Sequence, residues 1–209
     1  MTDVVVSPEP SRKALGAGYD TAVAFAELLV KHGEERGLIG PREVPRVWTR
    51  HIVNSAAIAP FVGDAKSIVD VGSGAGLPGV VLAGMFPAVQ VHLVEPMERR
   101  VAWLTFAFQE LGLENVTVHH GQAQEFHKQL SADIVTARAV AALDKLLSWT
   151  WPLVARGGAL LAMKGARAQE ELDAASGVLG RLATTAAVVH EVDVLDDGDI
   201  TRVVEIRRA

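Results

Sequence analysis

The residues best suited to chemistry lie in one stretch, Val69-Asp70-Val71-Gly72-Ser73-Gly74-Ala75-Gly76-Leu77-Pro78-Gly79. It follows an apolar run of strand type and opens a helical pattern, with Pro78 suited to a first helical turn. Glycines at 72, 74 and 76 let the backbone turn sharply and approach a ligand closely. Glu95 ends the next strand-like run, where an acid can accept hydrogen bonds from both hydroxyls of a ribose. Gly74-Ala-Gly76-Leu-Pro-Gly79 also satisfies a dinucleotide fingerprint, so two nucleotide classes remain open, whereas a P-loop is excluded because no Gly-Lys-Ser/Thr follows. Asp70 favours the phosphate-free class. A carboxylate there would repel a pyrophosphate, but it suits a loop cradling the sulfonium and amino acid portion of S-adenosylmethionine. Ser73 and Leu77 lie in the same loop, and Gly121-Gln122-Ala123-Gln124, after the third strand, forms the next wall of the expected cofactor site.

The methyl acceptor is narrowed by exclusion. Pyrimidine C5 methylation needs a thiolate to attack the ring, and the chain has no cysteine. Exocyclic amine enzymes carry an Asn/Asp-Pro-Pro-aromatic segment after the fourth strand, where this chain reads Thr136-Ala137-Arg138-Ala139-Val140. Arg138 and Lys164 end neighbouring strand-like runs, and a cationic pair there suits phosphate or the O6/N7 edge of a purine. Guanine N7 carries no proton at neutral pH, so its methylation needs no general base, only alignment with the methyl group and the sulfur.

Those residues need a scaffold. The chain has 209 residues, 49% apolar and 22% charged, with net charge −5, which is ample for one buried core and excludes a strongly basic nucleic-acid-coating protein. Without cysteine there is no disulfide framework and no thiolate metal site. Its first residues lack the apolar region of a signal peptide, and no apolar run is long enough to cross a bilayer, so a soluble cytoplasmic protein is expected. Residues 1–12 read as a mobile leader. Helices are predicted over 15–36 and 45–60. From residue 64 strands at 67–71, 89–94, 116–120, 134–137 and 159–164 alternate with helices at 78–86, 98–111, 124–129, 143–154 and 168–182. Strands at 185–195 and 201–207 are joined by the turn Asp196-Asp197-Gly198-Asp199. The pattern predicts an α/β, Rossmann-like domain over 64–209, with a mostly parallel sheet ending in an antiparallel hairpin, and an N-terminal leader and helical extension over 1–63.

Other residues carry a second function or none. Arg46, Arg50 and His51 cluster on the second helix and are candidates for RNA phosphate contact, as are Arg99 and Arg100 after Glu95. His119 and His120 are adjacent on a strand and point to opposite faces, so no metal site is expected. The four tryptophans lie in helical patterns and read as core, with Trp48 beside the arginines held open as a stacking platform.

Taken in order, Arg50-His51-Ile52-Val53-Asn54-Ser55, Asp70 through Gly79, Arg99-Arg100 before Trp103-Leu104, Thr136-Ala-Arg138-Ala139 and Met163-Lys164-Gly165 resemble the bacterial 16S rRNA guanine-N7 methyltransferases known as RsmG or glucose-inhibited division protein B. The resemblance covers nearly the whole chain. It implies S-adenosylmethionine as donor and a guanine of 16S rRNA in the small subunit or its assembly intermediate as acceptor, conventionally position 527 in the 530 loop. A monomer is expected. Positions matching Arg138, Lys164 and Arg202 are then candidates for RNA contact and catalysis, with Arg138 also at the cofactor, and those matching Gly72, Gly74, Glu95 and Ala123 line the cofactor pocket. The chain departs from the usual pattern with Leu38-Ile-Gly-Pro-Arg-Glu43 for an Asn-Leu-Thr segment, Asn54 for Asp and Gln124 for Glu. The rival readings are an NAD(P)-binding oxidoreductase and a non-catalytic cofactor-binding module of ribosome assembly.

Overall fold

A seven-stranded sheet organises the chain, which a computed structural model describes over residues 8–209. The strands are β1 (Ser67–Val71), β2 (Gln90–Glu95), β3 (Val116–His120), β4 (Ala132–Arg138), β5 (Val154–Lys164), β6 (Thr184–Asp193) and β7 (Ile200–Arg208), in the order β3-β2-β1-β4-β5-β7-β6. All neighbours are parallel except β7, which runs antiparallel to both β5 and β6. This is the predicted sheet. The chain builds outward from β1 in one direction and then restarts at β4 in the other, so a crevice opens beyond the carboxyl ends of β1 and β4, where such sheets bind ligands.

Alternation along the strands feeds two apolar layers, with Ile68, Leu93, Ile134 and Leu161 on one face and Val69, Val94, Val135 and Leu160 on the other. The first face is covered by α3 (Gly79–Met85) and α4 (Glu98–Glu110), and the second by α5 (Leu143–Thr150), α6 (Ala168–Ala174) and the short α7 (Ser176–Leu179). The N-terminal extension belongs to the first layer. α1 (Pro8–Leu15) and α2 (Tyr19–His32) bury Leu15, Phe25 and Leu29 completely, in the same core as Leu82, Leu93 and Trp103.

Several expected elements differ. Residues 1–7 of the expected leader lie outside the described residues, but Pro8–Leu15 is helical, and Ser11 within it is fully buried under Trp48, whose indole N–H donates to its hydroxyl at 3.1 Å. The single helix predicted over 45–60 is instead a 3-10 turn at Val44–Arg46, a wide π-helical stretch at Val47–Val53 and another 3-10 turn at Ala56–Phe61. Its ladder competes with side-chain donors: Arg138 donates to the carbonyls of Arg50 (3.1 Å) and His51 (3.3 Å), and the Ser55 hydroxyl donates to the His51 carbonyl at 2.7 Å. The helix expected over 168–182 breaks at Ala175, before Ser176-Gly177, residues of weak helix propensity. The one at 124–129 is only a 3-10 turn, Ala123–Phe126. β5 starts five residues early, because Pro152 leaves the end of α5 in a short turn and the chain enters the sheet at once.

If the extension shares the core, Leu29→Ala should lower the unfolding free energy of the whole domain by about 2–5 kcal/mol. Urea transitions followed by circular dichroism and by tryptophan fluorescence should shift together; a separate early transition would show that the extension unfolds on its own.

Candidate active site

The glycine loop leaves β1 and is fastened to β2. The N–H groups of Gly72 and Ser73 donate to the Val94 carbonyl at 2.8 and 3.2 Å, and Gly74 N–H donates to Glu95 Oε2 at 2.8 Å. The second Glu95 oxygen accepts from Met97 N–H at 3.0 Å and lies 3.9 Å from the Arg100 guanidinium. Glu95 is 1% exposed and already bonded once at each oxygen, so its remaining lone pairs are what a ribose would meet. At Gly74 (φ 56) a side chain is disfavoured by the backbone itself. Gly76, also expected at the cofactor, has a packing role in the structure. An added Cβ would meet Val80 Cγ2 at 2.7 Å and Phe25 Cζ at 3.0 Å, so its lack of a side chain serves packing.

Asp70 also sits beneath the loop rather than in it. One of its oxygens accepts from Gly79 N–H at 3.1 Å, steadying the start of α3, while the other has no partner. Burial pushes its carboxyl up to about 7, with the Gly79 N–H pulling the other way.

Three clefts meet along the carboxyl edge of the sheet. An apolar slot of about 260 Å³ lies between Val71, Val94, Ala123, Val140 and Trp149, closed by Gly121, Gln122 and Gln124. A more polar cleft of about 460 Å³ is lined by Gly72, Ser73, Gly74, Leu77, Glu95 and Arg100. The largest, about 810 Å³, lies over the ends of β4 and β5 among Arg50, Asn54, Met163, Lys164, Arg167 and Glu170. Val140 borders all three, and Arg138 borders the second and the third. The slot suits a flat purine and the polar cleft its sugar and charged tail, so the residues present fit the expected nucleoside. Trp149 was missed as a site residue, since helical periodicity places it on α5 without showing that its ring reaches past the helix to the slot.

The cations at the sheet edge differ in what they are free to do. Arg138 is the meeting point of two clefts. Besides the two carbonyls of the π-helical stretch, it donates to His51 Nδ1 at 2.8 Å, and His51 Nε2 lies 2.9 Å from Glu43 Oε2. Lys164, expected to face the acceptor, lines the largest cleft, but its ammonium is spent on the Ala141 carbonyl and on Glu171 Oε2 (2.8 Å), and its side chain is 8% exposed. That carboxylate oxygen also accepts from Leu143 N–H at 3.0 Å, so the Lys164–Glu171 pair holds the loop between β4 and α5. Arg202 pairs in register with Lys164 but lines none of the three clefts; its guanidinium is 2.7 Å from Glu191 on β6.

Of the residues expected to contact RNA, Arg46 and Arg99 are exposed, and Arg50 lies on the rim of the largest cleft. Arg100 sits instead beside Glu95 in the polar cleft, and His51 is half-buried between Glu43 and Arg138 rather than presented to a phosphate. Trp48 is 3% exposed and packs edge-on to Tyr19, which leaves it no face for base stacking. No group of three or more His, Cys, Asp or Glu side chains is placed to hold a metal among the described residues, and none of their helices is long and apolar enough to cross a membrane.

This strand order, with the ligand crevice at the ends of β1 and β4, defines a Rossmann-like class I methyltransferase fold. It is shared with an S-adenosylmethionine-dependent O-methyltransferase of Thermotoga maritima (16% identity, TM-score 0.54, covering 80% of this chain and 70% of that one) and with a methyltransferase of Geobacter sulfurreducens (14%, 0.57, 87% and 89%). The particular family is given by sequence. The family described as rRNA small subunit methyltransferase G matches residues 19–194. The chain is 63% identical to the Ribosomal RNA small subunit methyltransferase G of Beutenbergia cavernae over 98% of its length and 96% of that protein, and 48% identical to that of Thermobifida fusca over 92% and 81%. The chain belongs to the rRNA small subunit methyltransferase G family, as its motifs led us to expect.

The buried Asp70 has a thermodynamic signature. Its folded value of about 7 lies above that of an unfolded carboxyl, about 3.9, so between those values the folded protein binds more protons and stability falls as pH rises, levelling off above about 7. Asp70→Asn, whose amide oxygen can keep the Gly79 N–H bond, removes that slope. The variant should be the more stable protein at pH 8 by at most about 4 kcal/mol, and the difference should close toward pH 4. Thermal unfolding across that range checks the sign, and a variant less stable at pH 8 than at pH 4 relative to wild type would reverse it.

Proposed function

We propose that the chain methylates N7 of a guanine in 16S rRNA, the guanine conventionally numbered 527 in the 530 loop, with S-adenosylmethionine as donor. One observation carries the reading beyond family membership: the Arg138 guanidinium lines both the polar cleft beside Glu95 and the large cleft over β4 and β5. A cation at that junction faces whatever purine edge is brought up to the cofactor.

When bound, the cofactor supplies an electrophilic methyl group on a sulfonium. The rest is done by the chain. Glu95 accepts from the ribose hydroxyls with the lone pairs left over from Gly74 and Met97. The backbone of Gly72 to Gly74 admits the charged tail, and Ala123, Val140 and Trp149 enclose the adenine. Arg138 holds the O6 side of the guanine, which sets N7 toward the polar cleft. Lys164 and Glu171 neutralise each other and fix the loop that carries Val140, so neither is a free base, and N7 requires none. Exposed Arg46, Arg50 and Arg99 lie outside the cofactor slot and supply phosphate contacts for the small subunit or its assembly intermediate, with the protein acting as a cytoplasmic monomer. The domain over 64–209 carries the chemistry, and the extension over 1–63 supports it through Arg50 and His51.

The direct test is transfer of labelled methyl groups to 30S subunits from cells lacking this enzyme, with borohydride–aniline cleavage to map N7-methylguanine. One cleavage site is expected, and Arg138→Ala should lower kcat/KM by about 100-fold or more. Label on a ribose oxygen or a base carbon would refute the acceptor. Uptake of a nicotinamide dinucleotide but not S-adenosylmethionine would favour an oxidoreductase, and binding without transfer a non-catalytic assembly module.

Arg46→Ala separates phosphate contact from chemistry. It should weaken rRNA binding and reduce the slope of log affinity against log salt by about 1. A wild-type slope would place Arg46 outside the interface.

A further inference from the structure

We propose that His51 is a positioning residue that aims Arg138 by accepting its hydrogen bond, and that protonation of His51 breaks that bond and loosens the guanidinium. This rests on the methyltransferase reading of the same site, but its first test does not depend on turnover.

The bond pattern dictates the tautomer. Arg138 has donors only, so His51 Nδ1, at 2.8 Å from its Nη2, must present a lone pair. The proton then sits on Nε2, which faces Glu43 Oε2 at 2.9 Å. Glu43, His51 and Arg138 thus form a chain in which every link has one direction, and its end is the cation shared by the two clefts. An imidazolium has no lone pair at Nδ1 and carries a charge 2.8 Å from a guanidinium, so protonation removes an attraction and adds a repulsion at the same contact. The carbonyls of Arg50 and His51 would still hold Arg138, at the longer distances of 3.1 and 3.3 Å.

The charged groups around His51 set where it titrates. Burial weighs most and lowers its value, Arg138 from the end of β4 lowers it further, Glu43 from the preceding turn raises it, and Arg50 on its own stretch lowers it. Asp70 on β1 faces Arg138 from behind rather than His51. The net direction is below the ordinary imidazole value of about 6.5, so the chain of bonds is intact at neutral pH and fails on acidification.

Two measurements test this on the full-length protein. Nitrogen-15 spectra of the His51 ring should show the Nε2–H tautomer at pH 7.5, and the Arg138 guanidinium signals should broaden or move with the same midpoint as the ring. The Nδ1–H tautomer, or an imidazolium at pH 7.5, overturns the proposal whether or not the protein methylates guanine. In the second, kcat/KM for 30S subunits should show an acid limb at that midpoint. Glu43→Gln can still accept from Nε2–H but no longer favours the imidazolium, so its limb should move to lower pH. His51→Asn offers an untitratable amide oxygen near the Nδ1 position; it should keep activity within about tenfold at pH 7.5 and lose the limb. His51→Leu offers no acceptor and should lose about tenfold more. A limb unmoved in both His51→Asn and Glu43→Gln, yet abolished by Asp70→Asn, would assign the pH dependence to Asp70 and overturn the proposal. Equal losses in His51→Asn and His51→Leu, at matched unfolding temperatures, would reduce His51 to packing.

Discussion

The grip of Arg138 on the backbone of the N-terminal extension is the constraint on which the site depends. Its guanidinium leaves the end of β4 and takes up the carbonyls of Arg50 and His51 together with His51 Nδ1. A planar fork of donors is suited to hold three acceptors at once. That one side chain ties a helical segment of residues 47–53 to the end of β4, more than eighty residues later in sequence. Arg138, Ala139 and Val140 line both the polar cleft and the large cleft.

The glycine loop is held by a different device with the same logic. Glu95 accepts from two backbone N–H groups, one on the loop and one just beyond its own strand. A buried carboxylate bonded in this way is well compensated, unlike Asp70, which has one bonded oxygen and one orphan. The two acids lie at the ends of neighbouring strands but carry opposite costs. Glu95 stabilises the loop it serves, whereas Asp70 is a local strain on the fold, of the kind that collects at functional sites.

The parts legible in the sequence were those set by local pattern. Strand and helix alternation gave the sheet, and Gly72, Gly74 and Glu95 were visible because a loop, a strand end and their spacing belong to one βαβ unit. What escaped was tertiary. Nothing near Lys164 announces that Glu171 will neutralise it, because the pairing depends on how α6 folds back over β5. Periodicity across residues 45–60 reads as one α-helix, since apolar spacing cannot register that Arg138 will claim two of its carbonyls. The packing role of Gly76 is hidden for a related reason. Its spacing matches a ligand loop, but the φ of 103 and the contacts with Val80 and Phe25 turn it toward the core. Family resemblance fared better than residue-by-residue reasoning because it draws on the whole order of motifs rather than on any one of them. Arg202 lies on β7 beside Lys164, paired with Glu191 on β6.

On the proposed guanine-N7 reading, the division of labour at the sheet edge follows from the chemistry of the acceptor. A ring nitrogen with a free lone pair needs neither deprotonation nor covalent activation, so an enzyme acting on it gains rate through placement. Placement is a matter of stiffness. Each 1.36 kcal/mol of misalignment costs a factor of about ten, which a loosely held arginine could easily lose. Here the cations are not left loose: Lys164 is locked by Glu171, Arg100 stands beside Glu95, and Arg138 is held by three acceptors. Of these acceptors only His51 can change its charge within the range in which a protein stays folded. The one titratable member of a rigid clasp is therefore where pH can reach the geometry, and an uncharged imidazole is the state that keeps the clasp closed.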